Sequence, residues 1–193
     1  MIYIVSGYVR HGTSAMMLAL RTGGLTVDYD LRRDEQIKAA RDDEHFAVNA
    51  GGLFELSRAQ VSSPDFPAAH EGHCIKQLRS GLTNLRARSA SDPYRVCFMR
   101  RDYEETRQSQ EAALGVRQSV EQIRHVVEHC LGIAYARSDM RVTEVWYERL
   151  RENPEREMLR LAVAGWPIDP CRAASVIDRR QARFVRGVIE SGA

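Results

Sequence analysis

The stretch Ile2-Tyr3-Ile4-Val5-Ser6-Gly7-Tyr8-Val9-Arg10-His11-Gly12-Thr13-Ser14-Ala15-Met16-Met17-Leu18-Ala19-Leu20-Arg21 decides the fold. Residues 2–5 form a short, apolar, β-rich run, the pattern of a buried strand. Residues 6–12 read as a loop bounded by Gly7 and Gly12. Residues 13–21 carry Met16, Met17, Leu18 and Leu20 and predict a helix stopped at Gly23-Gly24. Strand, glycine loop and helix in that order open an α/β protein built on a mainly parallel sheet. The same order aims the free backbone N–H groups of a helix N-terminus into the loop, where an anion is stabilised.

Working outward, residues 25–27 suggest a second short strand, and strands return at 72–76 and 94–99. A helix follows the strand at 94–99, and another spans about 117–137. The latter sets Val120, Ile123, Val127, Cys130, Leu131 and Ala134 on one face at helical spacing. A last strand is expected at 141–146, with helices near 153–164 and 179–190. Residues 28–73 are the least regular, holding a charged run, the Gly51-Gly52 turn signal, Pro64 and Pro67. They are expected to form a lid. With no repeat or linker, the expectation is one domain over 1–193, a three-layer α/β sandwich of the nucleotide-binding type.

The chain has 193 residues, 44% hydrophobic and 28% charged, the composition of a soluble globular protein. Its 28 basic and 26 acidic residues leave a net charge of +2, which argues against a broad nucleic-acid coat. Lys38 and Lys76 are the two lysines, and every other basic residue is Arg. Codon usage explains most of that bias, yet Arg also grips phosphate bidentately where Lys acts as a point charge. No apolar run approaches the roughly 20 residues of a membrane span, and no signal-peptide pattern opens the sequence. Cys74, Cys97, Cys130 and Cys171 lie far apart, without paired Cys/His spacing. A reducing cytoplasm is the expected compartment, with neither nucleic acid nor membrane as partner.

Gly7 and Gly12 have the spacing of the phosphate-binding loop Gly-x-x-x-x-Gly-Lys-[Ser/Thr], with Thr13 at the lysine position. Thr13 and Ser14 add hydroxyl donors, and Arg10 is the natural substitute for the missing charge. Magnesium-dependent nucleotide enzymes of this architecture normally place a carboxylate at the end of a second strand. Here the later strands end in Lys76, in Arg100-Arg101, and in Trp146-Tyr147, while Asp102 sits where a helix cap is expected. The ligand-binding edge of the sheet is therefore lined with cations, and no metal is expected there. That suits a polyanionic donor whose leaving group is stabilised by Lys and Arg.

These residues resemble the P-loop sulfotransferases that use 3′-phosphoadenosine 5′-phosphosulfate (PAPS), in their bacterial form. The family loop is written roughly [Gly/Thr]-Tyr/x-Pro-[Lys/Arg]-Ser-Gly-Thr-[Ser/Thr]. The chain follows it at Arg10, Gly12, Thr13 and Ser14 and departs at Val9 and His11. The resemblance implies that Arg10, Gly12, Thr13 and Ser14 hold the 5′-phosphosulfate. Arg101 after a strand, with Ser109 eight residues on, is similar to the family's 3′-phosphate site. Lys76 resembles its strand-terminal Lys, residues 49–55 its Asn-x-x-Gly-Tyr-x-Glu segment, and Tyr147-Glu148-Arg149-Leu150 its Tyr-Glu-Asp-Leu signature. The chain departs where many cytosolic members place a catalytic His, here Leu78, and it lacks their C-terminal Arg-Lys-Gly segment.

Sulfuryl transfer to a hydroxyl or amine acceptor needs a general base. Glu55, from the bacterial-like segment, and His11, in the loop, are the candidates, with His70 and His73 also in view. His125 and His129 read as part of a solvated helix face. Lys76 and Arg10 are expected to stabilise charge on the oxygen that bridges sulfate and phosphate. The acceptor, a small molecule or a glycan, has no motif that identifies it. Two other readings stay open: an ATP-dependent small-molecule kinase, and a degenerate phosphate-loop protein that binds a nucleotide without chemistry.

Overall fold

The computed structural model describes residues 1–30, 32, 35, 55–79 and 81–177. The helix expected at 179–190 and residues 49–54 of the Asn-x-x-Gly segment lie outside the described residues.

Five strands form one sheet: β1 (Tyr3–Gly7), β2 (Val27–Asp28), β3 (Cys74–Lys76), β4 (Tyr94–Arg100) and β5 (Met140–Trp146). Their order is β2-β3-β1-β4-β5, and every pairing is parallel. Tyr3 aligns with Cys74 on one side and Arg95 on the other, so β1 is the central strand. β1 is buried along its whole length, as a parallel strand covered on both faces must be.

Alternate residues of the strands feed two separate cores. Ile2, Ile4, Ile75, Val96 and Phe98 pack against α6 (Val120–Ala136) through Ile123, Val127, Cys130, Leu131 and Ala134. Tyr3, Val5, Cys97, Met99 and Val145 pack on the other face against α1 (Thr13–Thr22) and α8 (Pro154–Val163). The apolar period of α6 thus gives the face the sequence predicts. Ser119 caps its start through a reciprocal box with Gln122.

The shorter helices are α2 (Arg58–Ser62), α3 (Phe66–Ala69), α4 (Gly81–Asn84), α7 (Tyr147–Glu152) and α9 (Pro170–Ala174). Both α2 and α3 fall in the span expected to be irregular. Their apolar anchors, Val61 and Phe66, join the core under β1. Two buried anchors within a polar stretch are too few to show a period in sequence.

After β4 comes α5 (Tyr103–Leu114), capped by the Asp102 carboxylate, which accepts from the N–H groups of Glu104 and Glu105 at 2.9 and 3.0 Å. The strand-end acid is thus committed to its helix. From β1 the chain visits β2 and β3 on one side, then crosses to β4 and β5 on the other. The carboxyl ends of β1 and β4 therefore flank the crevice where ligands bind in open parallel sheets.

Candidate functional site

Gly7, at the end of β1, lies so near β4 that an added Cβ would stand 2.6 Å from the Met99 carbonyl oxygen, at a φ of +140°. Glycine is required by that approach, and the loop turns off from it. A turn closes as the His11 N–H donates to the Tyr8 carbonyl at 3.2 Å, and Arg10 takes a left-handed φ of 74°. Gly12 follows at φ 82° as the cap of α1, and its neighbour is a ring. An added Cβ would meet Tyr147 Cδ2 at 2.4 Å. Tyr147, the first residue of α7, thus covers the loop at the point where α1 begins.

The loop is tied down by three elements distant in sequence. Arg101 donates from Nη1 to the Arg10 carbonyl at 3.1 Å, and Gln110 from Nε2 to the Val9 carbonyl at 3.2 Å. Arg10 in turn donates from Nε to Ser109 Oγ at 3.1 Å. Lys76, at the end of β3, donates from Nζ to Ser14 Oγ at 3.2 Å. Loop 10–14, the strand-end Lys, and the Arg101/Ser109 pair therefore form one connected cluster.

The sequence reading gives the missing loop charge to Arg10; in the structure two cations contact this region. Lys76 delivers its amine from the neighbouring strand to the first turn of α1, while Arg10 reaches to α5. The crevice thus brings together a helix N-terminus and two strand-end cations, Lys76 and Arg101, the latter paired with Glu105.

Arg101 is 5% exposed and Ser109 is fully buried. Arg101 also pairs with Glu105 at 3.3 Å and stands 5.0 Å over the Tyr147 ring. Glu148, next to Tyr147, accepts from the Asp102 N–H at 3.0 Å. Tyr147-Glu148 therefore braces both halves of the cluster, one through Gly12 and the other through the backbone after Arg101. The resemblance flags this dipeptide as a signature but gives no hint of its two contacts.

His11 is buried beneath the loop. Its Nδ1–H donates to the Met99 carbonyl at 3.0 Å, and its Nε2 is buried without a protein partner. Burial, opposed in part by that hydrogen bond and reinforced by the Arg101 and Arg100 charges, lowers its pKa to about 4. At neutral pH it is an uncharged imidazole, fully buried, that ties the loop to β4.

Glu55 comes to the other side of the loop. Beyond β3 the chain hugs β1: the Gln77 N–H donates to the Val5 carbonyl and the Arg79 N–H to the Gly7 carbonyl. The Leu78 N–H on this run donates to Glu55 Oε2 at 3.3 Å. Glu55 lines a cleft of about 340 Å³ with Gln77, Leu78, Arg79, Asn84 and Val9. Val9 immediately precedes Arg10, so the cleft borders the loop.

His70 and His73 lie elsewhere, at the amino end of β3, both against Asp28. His125 and His129 are exposed on α6, as the sequence indicates. Cys74 and Cys97 are buried, and burial raises both thiols, Cys97 to about 12. All four cysteines are free, and the two buried in the sheet are inert at neutral pH. Among the described residues no helix is long and apolar enough to cross a membrane. Compared with models of protein families and with curated proteins, the chain gives no match.

Proposed function

We propose that the chain binds PAPS and transfers its sulfuryl group to an acceptor hydroxyl or amine, as a sulfotransferase-like enzyme. One observation carries the reading. The three separate segments that bear the sulfotransferase resemblance meet through direct hydrogen bonds, Lys76 to Ser14, Arg101 to Arg10, and Arg10 to Ser109. In this account the N–H groups of Gly12, Thr13 and Ser14 cradle the phosphosulfate at the start of α1. Arg101 and Ser109 hold the 3′-phosphate, which requires Arg10 to release Ser109 as the nucleotide enters. The reading needs no metal, since Lys76 and Arg10 supply the positive charge and Asp102 is engaged as a helix cap.

The acceptor occupies the cleft beside Val9, and Glu55 takes its proton. The acceptor oxygen or nitrogen then bonds to sulfur as the bond from sulfur to the bridging phosphate oxygen breaks. The electron pair stays on that oxygen, and 3′,5′-ADP leaves with its new charge facing Lys76. Glu55 is preferred to His11 because it lines the cleft while His11 is enclosed under the loop.

The test is PAPS turnover with a panel of phenolic, alcoholic, amine and glycan acceptors, comparing wild type with Glu55→Gln. Acceptor-dependent release of 3′,5′-ADP, lost in Glu55→Gln while nucleotide binding persists, supports the reading. Nucleotide binding with no transfer to any acceptor leaves only the binding half of it standing.

A further inference from the structure

Asp28, His70 and His73 gather three potential ligand atoms within 4.8 Å of one another, near the amino-terminal end of β3 and away from the loop. Asp28 lies 42 and 45 residues from the two histidines, so no sequence spacing joins them. The fold does so in two steps. Val27 and Asp28 form the edge strand β2, which pairs with Cys74 and Ile75. His70 caps the end of α3, and Gly72, at a left-handed φ of 80°, lets the chain fold back before β3.

That turn is anchored on the central strand side. The His73 N–H donates to the His70 carbonyl at 3.0 Å, the Gly72 N–H to the Met1 carbonyl, and the Tyr3 N–H to the His73 carbonyl, both at 2.9 Å. His70 is further oriented by Phe66, whose ring centroid lies 4.7 Å away. Both Nδ1 atoms consequently aim at one oxygen, Asp28 Oδ2, at 2.5 Å from His70 and 2.8 Å from His73.

We propose that Asp28, His70 and His73 form a binding site for a divalent transition-metal ion of the zinc class. Two imidazole nitrogens and one carboxylate oxygen are a donor set that zinc takes with protein ligands at about 2.0–2.2 Å. A tetrahedral ion spaces its ligand atoms by about 3.3 Å at those bond lengths, so each nitrogen–oxygen pair opens by less than an ångström. His73, 36% exposed, and Asp28, 25% exposed, have room for that adjustment and leave the remaining coordination open to water. Magnesium is disfavoured, because it prefers an octahedral shell of oxygens. The bound ion clamps edge strand β2 to the turn before β3, independently of what the anion cluster binds.

The test is calorimetric titration of chelator-treated protein with Zn²⁺, with Mg²⁺ as control. One equivalent of Zn²⁺ is expected, with no Mg²⁺ binding at the same concentrations. Replacing even a group that supports a metal ligand costs roughly 10–100-fold in affinity. Asp28→Asn and His73→Ala remove ligands, so each is expected to lose at least about 100-fold. Among the described residues the exposed histidines of α6, with ring centroids 6.4 Å apart, are the competing site. The double variant His125→Ala/His129→Ala is expected to bind as wild type does. Absence of Zn²⁺ binding, its persistence in both Asp28→Asn and His73→Ala, or its loss in the α6 variant overturns the proposal. His73 is on the surface, so its variant reports on the site even if Asp28→Asn fails to fold.

Discussion

Lys76 Nζ donates to Ser14 Oγ at 3.2 Å, joining the end of β3 to the first turn of α1 across 62 residues of chain. Lys76 is buried, 4% exposed. The loop carries Thr13 where the common phosphate-binding pattern has Lys, and Lys76 brings an amine to the same end of the helix from the next strand.

Lys76→Met keeps the aliphatic stem and removes the charge. The fold is expected to persist, and in the proposed reaction kcat falls about 100- to 1,000-fold, the usual cost of a lost electrostatic stabiliser. Single-turnover transfer from PAPS measures it. An unchanged rate assigns Lys76 no part in the chemistry.

Gly12→Ala is expected to destabilise the protein by about 3 kcal/mol, through left-handed strain of about 1–2 kcal/mol and a clash with the Tyr147 ring. The Tyr147→Ala background removes the clash and leaves the strain. In a urea-unfolding cycle the two substitutions should therefore couple, the double variant losing less than the sum of the singles. Additivity within about 0.5 kcal/mol contradicts the contact between ring and loop.

His11 gives the protein a built-in sensitivity to acid. Its folded pKa of about 4 lies below the ordinary 6.5, so the unfolded chain binds more protons between those values. Stability from this group is complete above about pH 6.5 and is lost as pH falls toward 4, by at most about 3 kcal/mol. His11→Asn keeps a donor for the Met99 carbonyl without the titration. Denaturation curves from pH 4 to 7 should show a flatter profile for the variant; equal slopes rule out the assignment.

Much of the sheet is legible in sequence because strongly periodic segments declare themselves. Residues 2–5, 94–99 and the apolar face of α6 all appear as expected. Met16 and Met17, in the first helix, likewise reach the core. The short helices α2, α3, α4 and α9 are not legible, since each anchors only one or two buried side chains. In the site, the loop, Lys76, Arg101 and Ser109 are visible as residue types, and the resemblance groups them. Their contacts are not visible. That Tyr147 covers Gly12 and that His11 points into β4 are consequences of sheet order, which no local pattern encodes. His11 shows the limit most sharply: a loop histidine suited to acid–base work by its ordinary pKa is held neutral by burial and two nearby Arg charges.

Arg101 and Ser109 define the selectivity expected of the anion cluster. Ser109→Ala removes a hydroxyl that Arg10 engages, and Arg101→Ala removes a buried guanidinium. A hydrogen bond to a charged group contributes about 1.5–3 kcal/mol. Each variant is therefore expected to weaken 3′,5′-ADP about 10- to 100-fold; Ser109→Ala leaves 5′-AMP nearly unchanged, while Arg101→Ala, which also frees the Arg10 carbonyl of the loop, weakens both, as calorimetry with both nucleotides can measure.

The same pair of ligands on the wild-type protein tests the central claim most directly. Titration calorimetry with 3′,5′-ADP, with 5′-AMP, and with ATP plus Mg²⁺ compares the three charge patterns at one site. The account predicts that 3′,5′-ADP binds at least tenfold more tightly than 5′-AMP, a difference of about 1.4 kcal/mol, without any need for Mg²⁺. Equal affinity for the two monoadenosine ligands, or binding of ATP with Mg²⁺ in preference to 3′,5′-ADP, would contradict it.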